Sequence, residues 1–236
     1  MKDSFKFLLS AIDKSAGMHD IDFALNWIKN QNRSVSVKIE KVLFSELKNW
    51  VFDDNKISHT SGRFFSINGI HVKTDWFFSQ KTEWHQPIIN QPEIGYLGFI
   101  VKEINGVYHF LVQAKVEPGN VNSVQLSPTI QATKSNYQKV HQGKSPAYLN
   151  LFTNVKKEDI LLDQLQSEQG ARFLKKRNRN IIIRVSDDVE LMDNFIWLTL
   201  YQIKRLMQID NLVNMDVRTV LSGISYGSYN SEILEY

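Results

Sequence analysis

A chain of 236 residues is long enough for one large domain or two small ones, with a substantial core. Hydrophobic residues are 42% and charged residues 22%, which suits a folded chain and excludes a disordered one. The net charge of +3, from 28 basic and 25 acidic residues, gives no argument for nucleic acid, and the lack of cysteine excludes disulfides and thiolate-bound metal.

Residues 1–33 predict helices. Phe5, Leu8, Leu9 and Ile12 form one apolar stripe and Phe23, Trp27 and Ile28 another, with Asp20 or Asp22 as caps. Lys6 and Asp13 interrupt the first apolar run and no small-residue cleavage site follows, so a secretory leader is not expected. No stretch reaches the ~20 apolar residues that span a bilayer. The expected compartment is the cytoplasm. From Val35 the period changes to two: Val35, Val37 and Ile39 alternate with Ser36 and Lys38, which predicts a strand.

Two Asn-Gly pairs predict hairpins, Asn68-Gly69 between RFFSI and IHVKT and Asn105-Gly106 between GYLGFIVKEI and VYHFLVQAK. Both central residues of a type I′ turn need positive φ, which these residues tolerate. Residues 159–176 read as a helix interrupted at Gly170, and NIIIRV (180–185) as a buried strand. Asp193 is placed to cap a helix through NFIWLTLYQIKRLMQ. The expectation is an α+β fold with a mixed, mainly antiparallel sheet flanked by helices. A helical arm (1–34) precedes the main module (35–236).

Gln125, Ser127, Thr129, Gln131, Thr133, Ser135 and Tyr137 are polar at every second position, with Leu126, Pro128, Ile130 and Ala132 between them. In an extended chain this makes one neutral, hydrogen-bonding wall, suited to sugar hydroxyls or a pyrimidine edge. The alternatives are a solvent-facing edge strand and a helix with Ser127 as cap, Pro128 at its first position and Gly143 past its end. Lys115 and Glu117 share a face before the Pro118-Gly119 turn, as an ion pair or as part of a site. The run 172–180 carries Arg172, Lys175, Lys176, Arg177 and Arg179. Read blandly, it is a solvated helix end. Read as a site, the forked donors of Arg177 and Arg179 match a diphosphate, extended by Asn178 and Asn180. The histidines lack HxxxH or HxH spacing, which points away from zinc.

The segments WHQPIINQPEIGYLGFIVKEINGVYHFLVQAKVEPGN, VQLSPTIQATKSNY, LQSEQGARFLKKRNRN, WLTL and NLVNMDVRTVL, in this order over residues 60–224, resemble the NDP-hexose 2,3-dehydratase family. The resemblance implies a Nudix-related fold without the glutamate-rich Nudix box, so pyrophosphate hydrolysis is not expected. It implies loss of water across C2–C3 of dTDP-4-keto-6-deoxyglucose with no cofactor. Because the family is typically a tandem of two modules of this length, it also implies a homodimer here. Within the matching motifs, Tyr137, His141 and Glu168 are the catalytic candidates. Trp84, Gln86, Gln113, Lys115, Glu117, Asn120, Gln125, Thr129, Gln131, Lys134, Arg177, Arg179 and Asn180 are the substrate-binding candidates. A module that binds the sugar nucleotide without chemistry is the alternative.

Overall fold

In the computed structural model, which describes residues 2–75, 81–133 and 145–227, the strands form two sheets. The chain opens with helices α1 (Asp3–Ile12) and α2 (Ile21–Ser34), the second capped by Asp20, whose carboxylate accepts from the Phe23 amide. A small antiparallel sheet follows: β1 (Trp50–Phe52), β2 (Lys56–His59), β3 (Ser66–Thr74) and β4 (Thr82–Asn90), paired in that order. The main sheet is built from β5 (Gly95–Ile104), β6 (Val107–Val116), β7 (Val124–Ser127), β8 (Ile130–Ala132), β9 (Ile160–Ser167), β10 (Arg177–Val185) and β11 (Phe195–Thr199). Its order is β11-β6-β5-β10-β9, with β7 paired to β6 and β8 to β5. Only β5 and β10 run parallel among these pairs. Helices α3 (Leu149–Thr153), α4 (Leu200–Leu206) and α5 (Met215–Ser222) complete the α-helices among the described residues.

The main sheet is buried on both faces. One face carries Phe99, Phe110, Val112, Ile182 and Leu198 against Phe7, Ala24, Ile28, Ile203, Val217 and Val220 of the helices. The other carries Ile100, Leu111, Ile181, Ile183 and Trp197 against Phe152 of α3. This explains the consecutive Ile181, Ile182 and Ile183 within NIIIRV, because a strand covered on both sides turns apolar residues to both faces. Gly98 permits the close approach of β5 and β10: a Cβ there would lie 2.7 Å from Ile181 Cγ2.

Asn105 and Gly106 have φ of 51° and 82°, as the type I′ turn between β5 and β6 requires. Asn68-Gly69 makes no turn. Both residues lie inside β3, Asn68 opposite Ile88 and Gly69 opposite Pro87, because pairing over nine positions with β4 outweighs the local preference. Residues 35–39 form no strand and pair with none among the described residues. The stretch 159–176 is the edge strand β9 followed by irregular chain, not a helix. The expected helix after Asp193 is β11 and then α4, split at Thr199. There a capping box forms: Thr199 Oγ1 accepts from the Gln202 amide at 3.3 Å and Gln202 Oε1 accepts from the Thr199 amide at 2.9 Å. No helix is long and apolar enough to cross a membrane among the described residues.

Candidate active site

Because β5 and β10 are parallel, both begin at the same end of the sheet, where the antiparallel β6 and β9 finish. That end opens into a cleft of about 230 Å³. Its floor is Gly95, Tyr96 and Leu97 of β5 with Gln131 and Ala132 of β8. Lys115 and Glu117 enter from the end of β6, Glu168 from the end of β9, Lys176 and Asn178 from the start of β10, and Asp216 from the first turn of α5. Three carboxylates and two ammonium groups therefore meet at one strand end.

Position within the helix fixes Asp216. Asn214 caps α5, its Oδ1 accepting from the Val217 amide at 3.0 Å. The Asn214 amide donates to Ser127 Oγ at 3.2 Å and Gln131 Oε1 at 3.3 Å. Gln131 donates in turn to Glu117 Oε1 at 2.9 Å, and Lys115 lies 3.2 Å from the same oxygen. On the opposite side Asn178 donates to Glu168 Oε1 at 2.6 Å. Burial pushes the Asp216 carboxyl up to about 6, and the negative charges of Glu168 and Glu117 add to this, with Lys115 opposing. Lys176 is buried, and its ammonium donates to the Glu93 carbonyl. Burial lowers the Lys176 pKa, against the carboxylates of Glu168 and Glu93. A recess of about 100 Å³ adjoins the cleft, sharing Leu97, Glu168, Asn178 and Asp216 with it, and is also lined by Asn180. Asn180 is 2% exposed and its Oδ1 accepts from no protein group among the described residues.

Such an arrangement can move protons. A carboxyl that titrates near neutrality serves as base or acid, and ammonium groups stabilise an oxyanion. A larger hollow, about 640 Å³, lies at the far end of β10 between Tyr148 and Asp188. Of its four acidic residues, Asp188 pairs with Lys102 at 2.5 Å and Asp159 with Arg184 at 3.1 Å. Among the described residues, Asp216 is the carboxyl whose pKa is raised, which makes the smaller cleft the candidate site.

The fold brings together Lys115, Glu117, Gln131 and Glu168 in the cleft, with Asn180 in the adjoining recess. Lys134, Tyr137 and His141 lie outside the described residues. The polar wall divides at Pro128: Gln125 and Ser127 lie on β7 opposite Lys115 and Gln113, whereas Gln131 lies on β8 opposite Leu97. Thr129 between them is 2% exposed and used internally, its hydroxyl donating to the Leu111 carbonyl and accepting from the Ile100 amide. Gln113 and Gln125 are half-buried. Asn120 braces the turn after β6 through the carbonyls of Lys115 and Ser123. Trp84 and Gln86 lie on the small sheet outside the cleft, bonded to each other at 2.8 Å, and Gln86 also donates to the Ala171 carbonyl. Arg179 is clamped by both carboxylate oxygens of Asp163, at 2.7 and 2.5 Å. Arg177, two residues before it on the strand, is exposed and shares its face rather than that of Asn178.

Sequence reasoning singles out neither Asp216 nor Lys176 for the site. The signal for Asp216 is Asn214 followed two residues later by an acid ahead of Val217, Val220 and Leu221, a helix start carrying a carboxylate. For Lys176 no local signal exists, since it lies in a cationic run that reads as a solvated helix end.

The curated relatives agree among themselves. The chain is 44% identical over 223 residues to a protein of Saccharopolyspora spinosa, covering 94% of this chain and 46% of the relative. It is 46% identical over 205 residues to one of Amycolatopsis orientalis, covering 85% and 44% respectively. It is 41% identical over 219 residues to one of Streptomyces violaceoruber, covering 90% and 47%. All three are named dTDP-4-dehydro-6-deoxy-alpha-D-glucopyranose 2,3-dehydratase, and this chain spans about half of their length. The family model for NDP-hexose 2,3-dehydratase matches residues 22–224, a stretch that includes every cleft residue named above, and the chain belongs to that family.

Proposed function

We propose that the cleft is the active site of a carbon–oxygen hydro-lyase acting on a dTDP-linked 4-keto-6-deoxyglucose. The observation that carries this reading is the Asp216 carboxyl, held near pKa 6 between Glu168 and Glu117 and beside two lysines. The C4 ketone acidifies the C3 hydrogen. Asp216 takes that proton, and the C3–H electrons pass to the C4 oxygen as an enolate, stabilised by the ammonium of Lys176 or Lys115. As the ketone reforms, the electrons make a C2–C3 double bond and the C2–O bond breaks. The departing oxygen takes the proton back from Asp216 and leaves as water. The C3 enol then gains a proton at C2 and loses its hydroxyl proton, giving the 3,4-diketo-2,6-dideoxy sugar. All electrons stay in the substrate, so no redox cofactor enters the balance. Glu168, oriented by Asn178, is the second proton-transfer group. Gln131 and Asn180 supply neutral contacts to hydroxyls. Arg177 and Lys134, which follows the lip residue Thr133, remain the diphosphate candidates, because Arg179 is already paired.

The same reading makes the working unit a homodimer in the cytoplasm, supported by relatives about twice this length. The test is incubation with dTDP-4-keto-6-deoxyglucose in deuterated water. Loss of the C2 oxygen with deuterium at C2 is expected from the wild type and not from Asp216→Asn. Tight dTDP binding with neither C2 loss nor C3 exchange would instead assign a binding module without chemistry. Sedimentation at working concentration checks the dimer, and the mass of one chain would remove it.

A further inference from the structure

We propose that His71, Glu83 and His85 on the small sheet bind one first-row divalent transition ion of the zinc, nickel or copper class. Strand pairing makes the site. His71 and His85 are direct partners across β3 and β4, with ring centroids 4.3 Å apart and planes 8° from parallel. Glu83 lies two residues before His85, so all three side chains share one face of the ribbon. Glu83 Oε1 is 2.5 Å from His71 Nε2, and the three potential ligand atoms lie within 4.8 Å of one another. Bonds of about 2.0–2.2 Å in a tetrahedral set hold neighbouring ligand atoms roughly 3.4 Å apart. The trio reaches that spacing by opening one hydrogen bond.

Two imidazoles and one carboxylate suit the transition ions named, whereas calcium and magnesium prefer oxygen alone. All three residues are exposed, so an ion enters directly from solvent and keeps water at its remaining position. Among the described residues this is the one such trio. The location gives the ion a mechanical consequence. Strand β2 pairs with β3 only as far as Asn68, and residues 70–74 pair with β4 alone. A two-stranded ribbon is marginal by itself, and an ion bridging both strands would hold it closed. Lys73 lies 3.7 Å from Glu83 and opposes the incoming charge.

The full chain is titrated with cobalt(II), followed by its visible d–d absorption, and then with zinc as competitor. One ion per chain is expected. His71→Ala and His85→Ala should each weaken binding at least about tenfold, the loss that even an outer contact to a metal ligand brings. Lys73→Ala should tighten it about threefold by removing a repelling charge, an effect that loss of structure would not produce. The exposed positions keep these variants folded, which circular dichroism verifies. Binding of equal affinity by the double histidine variant, or no uptake by the wild type, overturns the site. The readout does not involve turnover, so it stands apart from the dehydratase reading.

Discussion

Asp216 is where the proposed chemistry and the fold's stability oppose each other. An acid whose folded-state pKa is raised from 3.8 to about 6 favours the fold below pH 4, and that contribution is lost as pH rises through 6. Asp216→Asn should therefore be more stable than the wild type at pH 7–8, by on the order of 2 kcal/mol. The difference should vanish near pH 4 in paired urea titrations, while turnover falls by at least about a hundredfold. A variant of equal stability at both pH values would remove the raised carboxyl and the argument built on it. The two arginines separate in the same way. Arg179→Gln leaves Asp163 without its bidentate partner and should lower stability by about 0.5–1 kcal/mol, a modest figure because the pair is partly exposed. Arg177→Gln should leave stability unchanged and weaken dTDP binding about tenfold, as calorimetry would read.

Local elements decided which sequence readings survive. The two Asn-Gly pairs are chemically identical, yet one turns and the other continues a strand, because only Asn68-Gly69 has a complete partner strand alongside it. The NIIIRV strand and the two N-terminal helices were legible, but the helices' apolar stripes were not: Phe5, Ile12 and Phe23 are exposed, and the buried residues of α1 and α2 are Phe7, Ser10, Ala24 and Ile28. Strand β9 was not, because Ile160, Leu161, Leu162 and Leu165 fit a helical spacing equally well and only β10 beside it selects the extended form. That misreading also left Lys176 at a solvated helix end, whereas it lines the cleft just before β10. The β11–α4 boundary was legible in principle from Thr199 and Gln202 at capping-box spacing. Thr199→Ala should cost about 1 kcal/mol, measured by chemical denaturation, with the position of α4 kept by Leu200, Ile203 and Leu206. An unchanged midpoint would mean that packing alone sets this boundary.

At the scale of the molecule, the N-terminal helices are not an appendage by their contacts. Phe7 packs on Tyr108 and Phe110 with ring centroids 5.0 and 6.0 Å away, and Ala24 and Ile28 are buried in the same cluster. Ser10 joins three elements: its hydroxyl donates to the Tyr108 carbonyl of β6 at 2.5 Å and accepts from the Leu200 amide, which opens α4, at 2.9 Å. Asn32 of α2 does the same for β7, accepting from the Val124 amide at 3.0 Å and donating to the Val124 carbonyl. Strand β7 in turn pairs with the chain on either side of Val213 and so sets the start of α5, where Asp216 resides. A physical path thus runs from the N-terminal helices to the cleft, and it separates two variants. Ser10→Ala leaves the buried Leu200 amide without its acceptor and should cost about 1–3 kcal/mol. Because it leaves α2 and β7 untouched, turnover per folded molecule should stay near wild type. Asn32→Leu severs the link to β7, and should lower turnover as well as stability, since Asp216 moves with the start of α5. Equal turnover in both variants, measured at matched folded fraction, would show that the cleft is fixed by the main sheet alone.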